Sequence, residues 1–135
     1  MLYAAYGSNL LAAQMESRCP GAARAGTALL PGFRLAMNRF ASAQPDGAAI
    51  LPVGLWRVTD AHIAALDRFE GPHTYERRAV PLPGGGEAWI YLEIDQRPPP
   101  PAHAYVVRCR TGTLEVSLPT AALDAALDAI GWPRM

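Results

Sequence analysis

The arrangement of apolar and polar residues near the start of the chain predicts a strand followed by a helix. The apolar run over residues 2–6 stops at Gly7, which is typical of a buried strand that ends in a tight turn. Ser8 or Asn9 can then cap a short helix. That helix is predicted to end before Cys19-Pro20-Gly21, because proline and glycine interrupt helices.

Strand-like patterns recur through the rest of the chain. They cover residues 28–37, 48–58, 75–82, 87–94 and 104–109. The polar segment 42–47 contains Pro45-Asp46-Gly47 and predicts a loop between the first two of these strands. The sequence Pro-Gly-Gly-Gly at 83–86 suits a hairpin connection between the next two. The four prolines at 98–101 indicate a stiff surface loop.

Two further helices are predicted from apolar residues at helical spacing. For the first, Thr59 or Asp60 is a good N-cap residue, and Gly71-Pro72 marks the end. The second begins after Thr120 and ends at Gly131. Strands and helices together make up most of the chain.

The composition indicates one domain spanning residues 1–135, because half of the residues are hydrophobic and only 18% are charged. No apolar run approaches the roughly 20 residues that a bilayer crossing needs, and the N-terminus lacks the features of a signal peptide. Cys19 and Cys109 are too few for a disulfide framework. These features predict a soluble, cytoplasmic protein with reduced thiols that does not bind membranes.

All 12 basic residues are arginines, and they balance 12 acidic residues. Without lysine, the chain lacks Schiff-base chemistry and the lysine of a phosphate-binding loop. Zero net charge and scattered arginines argue against a nucleic-acid binder, which needs a basic patch. Two distant cysteines and three dispersed histidines show no metal-ligand spacing. The balance of charges favours a small neutral molecule as the partner.

Glu70 is the most informative carboxylate in the sequence. It stands four residues after Leu66 and seven after Ile63, so it shares the helical face that packs inward. The negative end of the helix dipole and apolar surroundings both raise the pKa of such a carboxylate, which suits a general base that later returns the proton. The alternative is a helix end whose glutamate turns to solvent or pairs with Arg68 or Arg77.

A second candidate site is the predicted turn Tyr6-Gly7-Ser8-Asn9-Leu10. A residue without a side chain lets a ligand approach the backbone, and exposed amides at a helix start favour a carboxylate or an oxyanion. Ser8 is not part of a Gly-x-Ser-x-Gly elbow, and no histidine is paired with it by spacing, which argues against a serine nucleophile. The alternative is an ordinary strand-to-helix turn with a serine cap.

Arginines on the predicted strands are candidates for binding a substrate carboxylate, because a guanidinium fork matches carboxylate geometry. The candidates are Arg34, Arg39, Arg77 and Arg78. Most of them are expected at solvated strand positions, and the histidines are expected at the surface or in loops.

Three motifs, taken in this order, resemble the gamma-glutamylcyclotransferase-like (AIG2-like) family. They are Tyr6-Gly7-Ser8-Asn9-Leu10 after a strand, Leu66-Asp67-Arg68-Phe69-Glu70-Gly71 at a helix end, and Tyr75-Glu76-Arg77-Arg78 at a strand start. The segments 26–35 and 53–58 are also similar to strands of that family. The resemblance covers roughly residues 2–94, and the later segments match no family feature.

The resemblance implies an α+β domain with a small mixed-strand β-barrel and flanking helices. It also implies a cavity where the turn meets the helix of the family's catalytic glutamate, which Glu70 matches. The implied activity is cyclisation of a γ-glutamyl group on its own α-amine, which releases 5-oxoproline and needs no metal or organic cofactor. The substrate-binding residues it implies are Tyr6, Gly7, Ser8, Asn9, Leu10, Tyr75 and Tyr91.

Two other functions stay open at this stage. One is a non-catalytic module that binds a small glutamate-like carboxylate, although binding alone does not need Glu70 beside an anionic ligand. The other is a cyclotransferase that acts on a larger γ-glutamyl-tagged metabolite. The Ser-Asn-Leu form of the turn resembles the branch of the family that acts on γ-glutamyl amino acids more than the branches specific for γ-glutamyl amines or glutathione, and this resemblance implies an amino acid as the leaving group.

Overall fold

Five strands form one mixed sheet in the computed structural model, which describes residues 1–71 and 73–133. The strands are β1 (Leu2–Ala5), β2 (Ala23–Met37), β3 (Ala41–Arg57), β4 (Tyr75–Pro81) and β5 (Glu87–Glu93). Their order across the sheet is β2-β3-β1-β5-β4. The short strand β1 runs antiparallel to β3 and parallel to β5, so the turn after it starts from the middle of the sheet.

Four helices flank the sheet: α1 (Ala12–Arg18), α2 (Asp60–Glu70), α3 (His103–Glu115) and α4 (Ala121–Ala129). A single 3-10 turn, Ser8–Leu10, lies between β1 and α1. Within residues 1–71 and 73–133, no helix is long and apolar enough to cross a membrane. The predicted α+β class is confirmed.

The predicted barrel is wrong in one respect, because the sheet is not closed. Its edge strands β2 and β4 do not pair with each other over the described residues. One face of the sheet nevertheless forms a buried cluster of its own. Every strand contributes apolar side chains to this cluster. Examples are Ala4, Leu30, Val53, Val80 and Ile90. Burial of that face by strand residues requires the sheet to curl without completing a ring of hydrogen bonds.

The opposite face of the sheet packs against the first two helices. Because side chains alternate along a strand, Tyr3 and Ala5 of β1 point away from Ala4. They join a buried cluster with Met15 of α1 and Leu66 of α2. This packing fixes both helices beside the C-terminal end of β1.

The loop predicted over residues 42–47 is wrong, because this segment belongs to the long strand β3. The chain reverses earlier, at residues 38–40. Pro45 lies opposite Phe33 of β2, and a register shift follows between Pro31 and Phe33. Among the described strands, β3 pairs here with β2 alone, and the missing N–H of a proline is tolerated on such an edge. The sequence Pro45-Asp46-Gly47 therefore produces an irregularity in a strand.

The strand predicted over residues 104–109 is also wrong, because this segment lies within helix α3. Its buried residues Tyr105, Val106, Cys109 and Thr113 recur every three to four positions, which is helical spacing. The aromatic and β-branched residues favour a strand locally, but packing of this face against the core decides the structure.

The predicted helix after the first turn begins later than expected. Neither Ser8 nor Asn9 caps it: Leu11 occupies the N-cap position of α1, with no side-chain cap hydrogen bond. The α2 helix, the hairpin of β4 and β5, and the last helix are confirmed close to their predicted bounds. Thr120 precedes the last helix without a side-chain cap hydrogen bond.

The start of α2 is held by a reciprocal cap. The Thr59 hydroxyl accepts a hydrogen bond from the His62 backbone N–H at 3.3 Å, and His62 Nδ1 accepts one from the Thr59 N–H at 3.1 Å. His62 Nε2 also lies 2.7 Å from the Pro20 carbonyl oxygen. These bonds tie α2 to the segment after α1.

We expect Thr59→Ala to lower the free energy of unfolding by about 1 kcal/mol, because it removes an acceptor for an N-terminal N–H group. Urea denaturation measures the change. Thr120→Ala is the matched control, since its side chain makes no cap hydrogen bond, and its effect should stay within about 0.5 kcal/mol. Equal losses in the two variants would contradict the assignment of the cap.

Candidate active site

A cavity of about 360 Å³ lies where the turn after β1 meets the end of α2 and the first half of α3. This volume is within the range of small-molecule sites. Seven of the eight predicted site residues line it: Tyr6, Gly7, Ser8, Asn9, Glu70, Tyr75 and Tyr91. The eighth, Leu10, lies outside the cavity wall and is only 2% exposed in the core.

Glu70 is the last residue of α2 and faces the cavity, where it is partly buried. Burial raises the pKa of its carboxyl group from 4.5 to about 7, and the positive charge of Arg18 opposes this rise. Glu70 does not pair with Arg77, whose Nε lies 3.1 Å from Asp67 Oδ1. Within the part of the chain that the structure describes, no hydrogen-bond donor contacts the Glu70 carboxylate.

The side chains of the turn bond to the protein itself. Ser8 Oγ accepts a hydrogen bond from Gln14 Nε2 at 2.5 Å. Asn9 Oδ1 accepts from Gln14 Nε2 at 2.9 Å and from Arg18 Nη1 at 3.2 Å. Asn9 Nδ2 donates to the Tyr3 hydroxyl at 2.9 Å. These bonds fix the turn and leave Ser8 without a general base in contact, which argues against a nucleophilic serine.

Gly7 has no side chain, so it lines the cavity with its backbone. The first hydrogen bond of the 3-10 turn runs from the Leu10 N–H to the Gly7 carbonyl at 3.2 Å, so the preceding N–H groups have no partner within the turn. A Cβ atom on Gly7 would lie 2.9 Å from the Tyr105 hydroxyl and 3.1 Å from Ala41 Cβ. Glycine is therefore required here because neighbouring groups approach the backbone closely.

Tyrosine hydroxyls form much of the polar wall. Three of them donate to fixed acceptors: Tyr6 to the Tyr91 carbonyl, Tyr75 to the Ala41 carbonyl, and Tyr91 to Asp67 Oδ1. Desolvation raises the pKa of all three, so they stay neutral at physiological pH. They position the wall as uncharged groups.

Several residues of the cavity wall were not identified from the sequence. They are Tyr3, Arg18, Phe40, Phe69, Thr74, Arg97, Tyr105 and Arg108. The four arginines proposed for carboxylate binding lie elsewhere; Arg34, for example, donates to Gln44 Oε1 at 2.7 Å. Arg18 follows the turn by one short helix, and this closeness was a usable signal. Tyr105 and Arg108 are not recognisable from the sequence, because the residue types of their segment predict a strand.

The described residues include no group of three or more His, Cys, Asp or Glu side chains that could hold a metal ion. The two cysteines are free and buried. The arrangement therefore offers one carboxylate with a raised pKa, a backbone turn and several guanidinium groups. Such a set can bind an anionic molecule and move a proton within it.

Solved structures with this fold include a protein described as gamma-glutamyl cyclotransferase, which has 24% sequence identity and a TM-score of 0.79 over 93% of this chain and 85% of that one. An uncharacterized protein from Homo sapiens has 25% identity and a TM-score of 0.81, with the same coverage. YkqA from Bacillus subtilis has 20% identity and a TM-score of 0.76 over 97% of this chain and 54% of its own.

Comparison of the sequence, in contrast to that of the structure, identifies the family. No curated protein sequence matches the chain. Residues 3–113, however, match the family described as "Gamma-glutamyl cyclotransferase, AIG2-like". This region includes all the predicted site residues and every strand of the sheet except the first residue of β1. The chain therefore belongs to the gamma-glutamyl cyclotransferase, AIG2-like family.

Proposed function

We propose that this protein cyclises a γ-glutamyl group on its own α-amine and releases 5-oxoproline together with a free amine or amino acid. Membership of the family supports a cyclotransferase-type activity. The observation that carries the finer proposal is the Glu70 carboxylate, which shares one cavity with the turn at residues 7–9 and has a pKa of about 7. A pKa near neutrality suits a group that must both accept and return a proton.

Glu70 acts first as a general base. Its carboxylate takes one proton from the α-ammonium group of the substrate, and the freed amine attacks the γ-carbonyl carbon to form a new carbon–nitrogen bond. When the original amide bond breaks, Glu70 returns the proton to the departing nitrogen. The attacking nitrogen loses its second proton to solvent, and the released amine takes one from solvent.

The turn at residues 7–9 holds the reacting part of the substrate. Its free backbone N–H groups can donate to a carboxylate or to the oxygen that becomes negative during attack on the carbonyl. Cyclisation also needs a folded glutamyl chain, because the amine must lie within about 3.5 Å of the γ-carbonyl carbon. Walls such as Tyr6 and Tyr75, fixed by their own hydrogen bonds, favour that compact conformation.

The pH dependence follows from the raised pKa of Glu70. Only the ionised carboxylate accepts a proton, so kcat/KM should rise tenfold per pH unit below a pKa of about 7 and level above it. Activity at pH 5 should therefore be about 100-fold below the plateau. Initial rates of 5-oxoproline release at low substrate concentration, from pH 5 to pH 8, measure this profile.

Circular dichroism at pH 5 is the control, because it separates protonation of Glu70 from loss of the fold. A folded protein whose kcat/KM stays constant down to pH 5 would show that no group with a pKa near 7 acts as the base.

The activity itself is tested with a panel of γ-glutamyl dipeptides and γ-glutamyl amines. Mass spectrometry should detect 5-oxoproline and the matching free amine in equal amounts. Saturable binding of these compounds without turnover would favour the non-catalytic binding module instead. If cell extract, but no panel compound, yields 5-oxoproline, the substrate is a larger γ-glutamyl-tagged metabolite.

A further inference from the structure

Positive charges outnumber negative charges in the wall of the cavity. Among the described residues that line it, Arg18, Arg97 and Arg108 are basic, and Glu70 alone is acidic. This local excess of positive charge is not visible in the net charge of the whole chain, which is zero. A cavity with such a wall favours a ligand with more than one anionic group.

Two of the three arginines already have partners in the protein. Arg18 Nη1 donates to Asn9 Oδ1 at 3.2 Å, and its guanidinium carbon lies 4.8 Å from the centre of the Phe69 ring. Arg97 is exposed, and its Nη2 lies 3.4 Å from Thr74 Oγ1. Both side chains are thus partly occupied with holding the wall of the cavity.

Arg108 differs from both. It is partly buried, and its Nε is fully buried without a hydrogen-bond acceptor anywhere in residues 1–71 and 73–133. Its guanidinium carbon lies 5.8 Å from the centre of the Tyr105 ring. Arg110, on the same helix, instead donates to Asp124 Oδ1 at 2.9 Å. A buried charged donor without an acceptor is costly. Because Arg108 also lines the cavity, a small rotation of its guanidinium group toward a bound anion would supply the missing acceptor.

In the proposed reaction, the α-carboxylate and the leaving group of the substrate lie near different arginines. The α-amine must reach Glu70, and the α-carboxylate is attached to the same carbon atom as that amine. Arg18 is the guanidinium group close enough to Glu70 to lower the pKa of its carboxyl group. The α-carboxylate therefore belongs near Arg18 and the turn, and the leaving group extends away from them, beyond the γ-carbonyl.

We propose that Arg108 is a specificity-determining residue that binds a carboxylate of the leaving group. This inference rests on the proposed function. It predicts that γ-glutamyl amino acids or peptides are better substrates than γ-glutamyl amines, whose leaving groups have no carboxylate. Arg108 lies on α3, outside the three motifs that carry the family resemblance.

The test compares γ-glutamylalanine with γ-glutamylalanine amide, which has the same size but no charge on the leaving group. The wild-type kcat/KM should be about 10- to 100-fold higher for the acid, as expected for a charge-assisted hydrogen bond. Arg108→Gln should remove most of this preference by lowering the value for the acid. Arg108→Lys should keep part of it, and the control Arg110→Gln should keep all of it.

Two results would overturn the inference. Equal kcat/KM for the two compounds in the wild type would overturn the inference while leaving the proposed function intact. Equal losses on both compounds in Arg108→Gln would also overturn it, because Arg108 would then act on the glutamyl part.

A lack of 5-oxoproline from both compounds, from the whole γ-glutamyl panel and from cell extract would contradict the proposed function. Whenever the two alanine compounds are not turned over, calorimetric binding decides on Arg108. Tighter binding of γ-glutamylalanine than of its amide, lost in Arg108→Gln, would support the subsite. Equal binding of the two compounds, or none, would overturn it.

Discussion

Glu70→Gln should lower the kcat for 5-oxoproline formation by roughly 10²- to 10⁴-fold, with a much smaller change in KM. Glutamine keeps the size and shape of the side chain but cannot accept the α-ammonium proton or return it to the leaving nitrogen. The binding groups of the turn and the cavity wall are left unchanged. Single-turnover assays by mass spectrometry measure the chemical step directly.

Glu76→Gln is the matched control for this variant. It removes an exposed carboxylate on β4 that lies outside the cavity, and its activity should stay near the wild-type value. If Glu70→Gln retains activity within a few-fold of wild type, the mechanism through Glu70 is wrong, and another group must move the proton.

The pH dependence of stability separates lost chemistry from lost folding. The Glu70 carboxyl group has a pKa of about 7 in the folded protein and about 4.5 as its ordinary value. Between pH 4.5 and pH 7 the unfolded chain binds fewer protons at Glu70 than the folded protein does. The ionisation of Glu70 therefore lowers the free energy of unfolding of the wild type as the pH rises. Glu70→Gln lacks this contribution, so at pH 8 it should unfold at the same urea concentration as wild type or a higher one.

The sequence was most informative where local signals agree with packing. Thr59 and Gly71 mark both ends of α2, and the apolar spacing of Ile63 and Leu66 defines its inward face. Together they predict the placement of Glu70 without any knowledge of the rest of the fold. The turn after β1 was similarly visible, because Gly7 interrupts an apolar run.

Local sequence patterns do not predict the structure of segments in which tertiary contacts decide the conformation. The segment 104–109 has the aromatic and β-branched residues of a strand, yet it packs as the first half of α3. The residues Tyr105 and Arg108 therefore could not be assigned to the site. The segment 42–47 has the composition of a loop, but pairing with β2 extends it into a strand. Neither pairing nor helix docking is encoded in the local pattern.

Gly112→Ala should destabilise the protein, although alanine is the better helix former. An added Cβ would lie 2.6 Å from the Leu11 backbone nitrogen and 2.7 Å from the Leu10 carbonyl carbon. These backbone atoms, at the end of the turn and just after it, cannot yield as a flexible side chain would, so α3 must move away. We expect the free energy of unfolding to fall by about 2 kcal/mol, as in overpacked cores.

The sign of the change in the free energy of unfolding tests this prediction. Helix propensity alone would make Gly112→Ala more stable by about 1 kcal/mol, so urea denaturation distinguishes the two effects directly. Gly47→Ala is the control, because a Cβ there meets no atom within 4 Å. An unchanged or increased stability of Gly112→Ala would show that α3 does not pack this closely. If α3 does move, it displaces Arg108, so the preference for an acidic leaving group should weaken together with stability.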